Sequence, residues 1–457
     1  MSEQTFDVIV IGAGPAGEVI AGRLADAGLE LAICEPHLLG GECSYYACMP
    51  SKALLRPGEA LAEVGRIPGA AEAVTGRLDV AAALSRRDEV IHDLDDSGQV
   101  KWVRDKGIQL FREHARLDGE RRVQAGEHTL TARRAVVLSP GSGAAIPPID
   151  GLAEAEPWTN RDITISKQVP ARLAILGGGV VGSEMAQAWM SLGSQVTLIQ
   201  GSDRILPKEE PFAAEQVADS LRDHGVDIRL RAKATAVRRE GGEVTIELER
   251  GDPVVTDELL VAIGRKPHTD DIGLESVGLP VGENVEVDDR MRATGVDGEW
   301  LYAVGDVNGR SLLTHMGKYQ ARAAAQVILG ADARATQDHL HSPRVTFTDP
   351  QVAAVGHTEQ TARDAGLEIR CVDMDTSGNA GGSFYGRNAP GTTRIVVDEQ
   401  RKVIVGATFT GAEIADFLHA ATIAVVGEVP LETLVEAVPA FPTRSEVWLN
   451  LLEGYGL

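Results

Sequence analysis

The sequence predicts an α/β protein of three parts: two doubly wound βαβ units, then a closing α+β segment. A buried strand, a glycine-rich turn and a helix follow one another at residues 6–24 and again at 173–190. The 457 residues exceed what one core ordinarily organises and point to about three domains. From about residue 338, strand patterns at 394–397 and 403–409 and a helical run at 414–426 replace the βαβ order.

In the first unit, Phe6-Asp7-Val8-Ile9-Val10-Ile11 is an apolar run of strand length. Gly12-Ala13-Gly14-Pro15-Ala16-Gly17 follows, then a helix through Leu24 and a second strand over 29–34. This order is Rossmann-like. Gly12 permits the tight turn, Gly14 a close backbone approach to a pyrophosphate, and Gly17 close packing of helix on strand. The phosphate would meet the positive end of the helix. Glu35 stands eighteen positions after Gly17, near the spacing of an acid that binds ribose hydroxyls.

Next comes Gly40-Gly41-Glu42-Cys43-Ser44-Tyr45-Tyr46-Ala47-Cys48-Met49-Pro50-Ser51-Lys52, with two cysteines five positions apart. On an ideal helix the Cα atoms of such a pair lie roughly 8.7 Å apart, whereas a disulfide spans about 4.4–6.8 Å. A bond between them requires a distorted backbone, which suits a reducible bond more than a structural staple. Alternatively the two are small buried side chains.

The second unit repeats the design. A strand over 173–176 leads into Gly177-Gly178-Gly179-Val180-Val181-Gly182, a helix through Met190 and a strand over 195–199. Two intact glycine turns imply two dinucleotides, although a scaffold with one vestigial site has the same pattern. Gln200 takes the place that Glu35 has in the first unit, eighteen positions after the third glycine. The proline-bearing stretch 140–148 and the segment around Pro157 read as a linker.

Composition narrows the class. A net charge of −23 and a pI near 4.9 exclude a nucleic-acid or anionic-membrane partner, which would need a basic field. No apolar run approaches the roughly 20 residues that span a bilayer, and the first residues lack a basic leader and cleavage site. A cytoplasmic enzyme without an integral membrane segment is expected. Of the four cysteines, Cys34 and Cys371 read as core positions, and no metal centre is expected.

The segment Gly40–Lys52 resembles the GG-x-C-x4-C-x-P-S-K signature of the flavoprotein disulfide reductases, the family of dihydrolipoamide dehydrogenase, glutathione reductase and mercuric reductase. Similar motifs recur in family order from Asp7 to Glu446, among them LLVAIGRKPHT at 259–269 and LYAVGDVNG at 301–309. The resemblance implies FAD at the first unit, bound through Gly12, Gly14, Gly17, Glu35, Gly41, Lys52, Ala115, Asp306 and His315. It implies NADH or NADPH at the second, bound through Gly177, Gly179, Gly182, Gln200 and Gly264. The implied domains are 1–149 with 268–336 for FAD, 150–267 for NAD(P), and 337–457 as the homodimer interface. The catalytic set becomes Cys48 next to the flavin, Cys43 as interchange thiol, Lys52 with Glu184 near the flavin, and Glu446.

Two departures bear on function. The family's H-P-T-x-S-E reads Phe441-Pro442-Thr443-Arg444-Ser445-Glu446, so the acid–base histidine, whose help is typically worth about 10² to 10⁴ in rate, is replaced. Tyr45 and Tyr46 stand where smaller residues are usual, and either narrow the approach to Cys43 or stack on a planar acceptor. At the second nucleotide, Gln200 is neutral and the arginine positions of NADPH-using members carry Gly201 and Pro207; Gly182 leans to NADH, while Gln200 and Arg204 would tolerate a 2′-phosphate. The expected activity is an FAD-dependent NAD(P)H oxidoreductase that passes electrons from a Cys43–Cys48 disulfide couple to a small-molecule acceptor such as a quinone. The alternatives are a disulfide reductase with a substitute proton shuttle, for which His315 and His419 are candidates, and a flavin-nucleotide sensor of poor turnover. Mercuric reduction is not expected, because the C-terminal cysteine pair of that enzyme is missing.

Overall fold

The computed structural model describes residues 2–387, 389 and 391–457. Contacts divide the chain into two units. One takes the segment up to Pro50, Asp88–Ala145 and Gly264–His339; the other takes Ser51–Arg87, Ile146–Ile263 and Leu340–Leu457.

In the first unit, Ser2–Ile11 pairs in parallel with Leu31–Cys34 and with His128–Leu138. Gln109–Phe111 extends the parallel sheet beyond Leu31–Cys34, and Leu301–Ala303 joins His128–Leu138. Arg122–Ala125 and Ala115–Leu117 continue it as antiparallel strands. Side chains alternate between two cores, as the period of a strand requires. Val8 and Val10 pack under helices Pro15–Asp26 and Thr314–Ile328, whereas Ile9 and Ile11 face a core around Val136, Leu274 and Trp300. Phe6 would fall with Val8 by parity but lies in the opposite core, because the register shifts between the two.

In the second unit, Arg172–Leu176 lies between Gln195–Gln200 and Glu258–Val261, with Asp227–Leu230 outermost, all parallel. Helix Val180–Ser191 covers this sheet, and its fully buried Trp189 stands 5.9 Å from the ring of Trp158. Truncating an aromatic buried like this typically costs about 3–5 kcal/mol. A separate antiparallel sheet runs Arg344–Thr346, Gln351–Gly356, Val403–Gly411, Thr392–Asp398, Ile369–Asp375. Every residue of Val403–Gly411 is buried, and helix Leu418–Val426 packs over it.

The fold class expected from the sequence, two nucleotide-type α/β sheets and a C-terminal α+β segment, is the fold observed. Three local expectations need correction. The stretch 140–148 is more than a linker: Ser142–Ala144 pairs antiparallel with Arg265–Pro267, which satisfies backbone groups of both. The run 414–426 opens as a 3-10 turn, Ile414–Phe417, whose first amides take an external partner as Ala415 N donates to Gln351 Oε1 at 3.0 Å. Cys34 is buried, but Cys371 is only half-buried, since its strand is outermost in its sheet. Among the described residues no helix is long and apolar enough to cross a membrane.

Candidate active site

Each glycine turn combines two locked positions with one open one. Gly12 has φ +98°, and a Cβ there would fall 2.2 Å from the Ser139 carbonyl oxygen; at Gly17 it would fall 2.1 Å from that of Gly12. Gly14, the N-cap of helix Pro15–Asp26, has nothing within 4 Å. The second turn repeats this: Gly177 at φ +107° and Gly182 are closed at 2.4 and 1.8 Å, and Gly179, the N-cap of Val180–Ser191, is open. Bare backbone thus faces free space at the positive end of each helix, a cradle suited to a dinucleotide pyrophosphate. The two-cysteine segment lies against the first cradle, since Gly40 N donates to Ala13 O at 2.8 Å and a Cβ on Gly41 would reach within 2.9 Å of Gly14 Cα.

The two strand-end residues form matching bonds. Glu35 Oε2 accepts from Ala13 N and its Oε1 from His37 N, both at 2.9 Å. Gln200 Oε1 accepts from Gly178 N at 3.0 Å, while its amide donates to Ser202 Oγ at 2.6 Å and to Arg204 O at 3.3 Å. Lys233 runs past Gly201, its Cγ 3.6 Å from where a Cβ would stand.

The helix breaks between the cysteines. Gly41–Tyr45 is one short helix, Tyr46 leaves helical geometry at φ −132°, and Cys48 opens helix Cys48–Arg66. Both cysteines are reduced thiols in the structure. A hydrogen bond to Cys48, then burial, push the Cys43 thiol well above the ordinary thiol range, opposed by Thr314 and by the charge of Lys318. Cys48 Sγ lies 3.5 Å from Thr314 Oγ1. Tyr45 is buried with no hydrogen-bond partner for its hydroxyl among the described residues, and Tyr46 lies at its flank, ring centroids 6.4 Å apart.

Lys52 Nζ meets Glu184 Oε2 at 2.7 Å and sits 4.8 Å from the Phe347 ring centre. Glu184 is buried, and its second oxygen accepts from Phe347 N at 2.9 Å. This anchored carboxylate holds the ammonium in one place, unlike a mobile surface pair.

Asp306 Oδ2 accepts from Ser142 Oγ at 2.6 Å; Ser142 Oγ also accepts from Arg265 Nε at 2.7 Å, and Arg265 reaches Glu42 at 3.0 Å. Asp306 is therefore tied to the residue preceding Cys43. His315 is exposed beside Thr314, Ala115 is buried in register with Ala125, and Gly264 O accepts from Ala145 N at 3.0 Å. Glu446 makes a different contact, accepting from Gly381 N at 3.3 Å, and Phe441 is 77% exposed. Thr314, Arg265, Ser142 and Lys318 were missed by sequence reasoning. Arg265 stands inside the GRKP motif and Thr314 beside His315, so proximity to recognised motifs was the available signal.

The family model described as "Pyridine nucleotide-disulphide oxidoreductase" matches residues 6–326, and that of the family's dimerisation domain matches 342–452. A dihydrolipoyl dehydrogenase of Chlamydia muridarum is 30% identical over 452 residues, 97% of this chain and 96% of the relative. A mercuric reductase of Staphylococcus aureus is 28% identical over 450 residues, 96% of this chain and 81% of the relative. The solved Cu(II) complex of the HOCl-induced flavoprotein disulfide reductase RclA from Escherichia coli superposes with a TM-score of 0.86 at 25% identity, covering 99% of each chain. With matches running from the first strand into the C-terminal helix, the chain belongs to the pyridine nucleotide-disulphide oxidoreductases, FAD-dependent enzymes that use NAD(P)H.

Proposed function

We propose that Cys43 and Cys48 cycle between disulfide and dithiol and deliver electrons from NAD(P)H to a quinone or another non-thiol acceptor. Bound FAD would supply the two-electron chemistry that links the nicotinamide to the disulfide. In this proposal Gly12, Gly14, Gly17, Gly41, Glu35, Ala115, Asp306 and His315 line the flavin site, with 1–149 and 268–336 as its domain. Gly177, Gly179, Gly182, Gln200 and Gly264 line the nicotinamide-nucleotide site within 150–267, where NADH is preferred and NADPH tolerated. Lys52, paired with Glu184, would offer a positive charge to a flavin that gains negative charge on reduction. The residues 337–457 form the interface of a homodimer, for which the dimerisation-domain match and the uncovered side chains of Ile423, Val438 and Phe441 speak. A cytoplasmic location belongs to the same proposal.

The observation that carries the choice of acceptor is Phe441. Its ring has no proton to give where the resembled family supplies a histidine, and Glu446 is engaged by Gly381 N. Releasing a thiolate from a disulfide substrate needs that proton; reducing a quinone does not draw it from this position. The test is NADH consumption by the FAD-loaded enzyme with lipoamide, oxidised glutathione, 1,4-benzoquinone and Cu(II), the last because a Cu(II) complex of RclA is known. Fast quinone or Cu(II) reduction beside slow disulfide turnover is expected. Ordinary reductase rates on either disulfide would overturn the proposal.

A further inference from the structure

Asp306 opens a 3-10 turn, Asp306–Asn308, and the groups on either side of it meet one side chain. Gly305 N donates to Gln320 Oε1 at 2.8 Å, and Asn308 Nδ2 donates to the same oxygen at 2.9 Å. Gln320 is fully buried on helix Thr314–Ile328. We propose that Gln320 is a positioning residue for FAD: the buried Asp338–Arg310 pair holds its amide in one orientation, and that orientation fixes the turn that presents Asp306 to the flavin. The inference rests on the reading of Asp306 as a flavin contact.

Hydrogen-bond polarity is the first argument. Asp338 is fully buried; its Oδ1 accepts from Arg310 at 2.9 Å and its Oδ2 from Gln320 Nε2 at 2.7 Å. A carboxylate paired with a guanidinium accepts and does not donate. Gln320 must therefore turn its NH2 toward Asp338 and its carbonyl toward the turn. Arg310 is fixed in its own right, donating to Asp289 Oδ1 at 3.1 Å and to the carbonyl oxygens of Asp288 at 3.1 Å and Ala335 at 3.0 Å. Asn308 is held the same way: its Nδ2 also donates to Ala303 O at 3.1 Å, and its Oδ1 accepts from Arg310 N at 3.0 Å. Reversing either amide would set buried donor against donor, which costs more than a hydrogen bond contributes.

Position is the second argument. Gly305 has φ +82°, and a Cβ on it would stand 3.4 Å from the Cβ of Ala16, a member of the first glycine turn; a Cβ on Gly317 would stand 3.2 Å from Gly305 Cα. Bare backbone thus brings the turn against both the first cradle and helix Thr314–Ile328, so a shift of Gly305 is a shift against the cradle. Asp306 itself is bound on one side only. Its Oδ2 accepts from Ser142 Oγ at 2.6 Å, while its Oδ1 takes no hydrogen bond among the described residues. The ribityl hydroxyls of FAD are donors of the kind such an oxygen accepts.

The test reconstitutes the deflavinated full chain with FAD and with its 2′-, 3′- and 4′-deoxyribityl analogues and reads each dissociation constant from flavin fluorescence. Gln320→Met removes the acceptor and should weaken FAD about tenfold or more. Gln320→Glu should do the same, since two carboxylates then face each other where the amide now bonds Asp338 at 2.7 Å. Adding Asp338→Asn to Gln320→Glu should restore affinity to within about threefold of wild type, because the charge moves to position 320 and every hydrogen bond keeps one donor and one acceptor. With the analogue that lacks the hydroxyl taken by Asp306, Gln320→Met and wild type should bind alike, whereas a general loosening would weaken all four flavins equally. Wild-type affinity for FAD in Gln320→Met, an equal loss with all four flavins, or no rescue by the exchanged pair would each overturn the assignment. Should the single variants fold poorly, the exchanged pair decides alone: it should fold and bind FAD, and failure in either overturns the assignment. Asp306→Asn tests the underlying reading separately. If it binds all four flavins as the wild type does, Asp306 is no flavin contact; if it loses FAD while Gln320→Met does not, only the role of Gln320 falls.

Discussion

Gln200 accepts the amide hydrogen of Gly178 through its side-chain oxygen at 3.0 Å, the bond that Glu35 makes with Ala13 at 2.9 Å across the same twenty-two residues. The two nucleotide cradles are thus built alike but differ by one charge. Gln200→Glu should preserve the bond and add a carboxylate where a 2′-phosphate would approach. The ratio of kcat/KM for NADPH to that for NADH is expected to fall about tenfold or more, from repulsion at short range. Steady-state kinetics with both nucleotides check this; an unchanged ratio would mean that position 200 does not read the ribose.

Glu184 joins Lys52 to the amide of Phe347. Glu184→Gln keeps an acceptor for Phe347 N but removes the charge that fixes Lys52, so flavin reduction by NADH should slow while thermal stability barely moves. Glu184→Ala leaves Phe347 N without its partner and should also destabilise by about 1–3 kcal/mol. Stopped-flow absorbance and thermal melts separate the two effects. Loss of stability without loss of rate in both variants would make the pair purely structural.

The cysteine pair is open to spectroscopy. On two-electron reduction a long-wavelength charge-transfer band is expected from a Cys48 thiolate beside oxidised FAD. Cys48→Ser should abolish it and Cys43→Ser should retain it, since only the former removes the sulfur proposed to lie beside the flavin. Anaerobic titration of both variants decides; identical titrations would uncouple the cysteines from the flavin.

Phe441→His restores an imidazole at the exposed position 441, with Glu446 five residues on. Turnover of lipoamide should rise, up to the roughly 10² to 10⁴ that acid–base help ordinarily contributes, while quinone reduction stays within about twofold of wild type. Reduced quinone turnover in this variant would place the aromatic ring itself in the acceptor path.

Glu18 supplies a pH dependence. Burial lifts its carboxyl to about 7, only partly countered by Lys318, and Tyr45 is the other titratable group under its influence. Between about pH 4.5 and 7 the folded chain holds a proton that the unfolded chain releases, so stability declines as pH rises through that window and levels off above it. Glu18→Gln should remove this decline and be more stable than wild type by on the order of 1–3 kcal/mol near pH 8. Denaturant melts at pH 5 and pH 8 measure it; equal differences at the two values would show that Glu18 titrates as an ordinary carboxylate.

The sequence by itself determined the two strand–glycine–helix units and, through the family resemblance, the pairing of Lys52 with Glu184. Strand periodicity and turn chemistry are local, and a glycine turn is legible wherever it stands beside an apolar run. Helix dimensions say only that a bond between Cys43 and Cys48 needs a distorted backbone, whereas the break at Tyr46 is seen in the structure with both thiols free. Tertiary structure alone decided that Thr314 meets Cys48 and that Arg265 ties Glu42 to Ser142 and Asp306. These contacts join segments more than a hundred residues apart, and which side chains meet depends on how helices pack across a sheet, a relation with no period to read along the chain. The short strand Ser142–Ala144 was hidden for the same reason: its partner, Arg265–Pro267, lies far off in sequence, and only the returning chain supplies its hydrogen bonds.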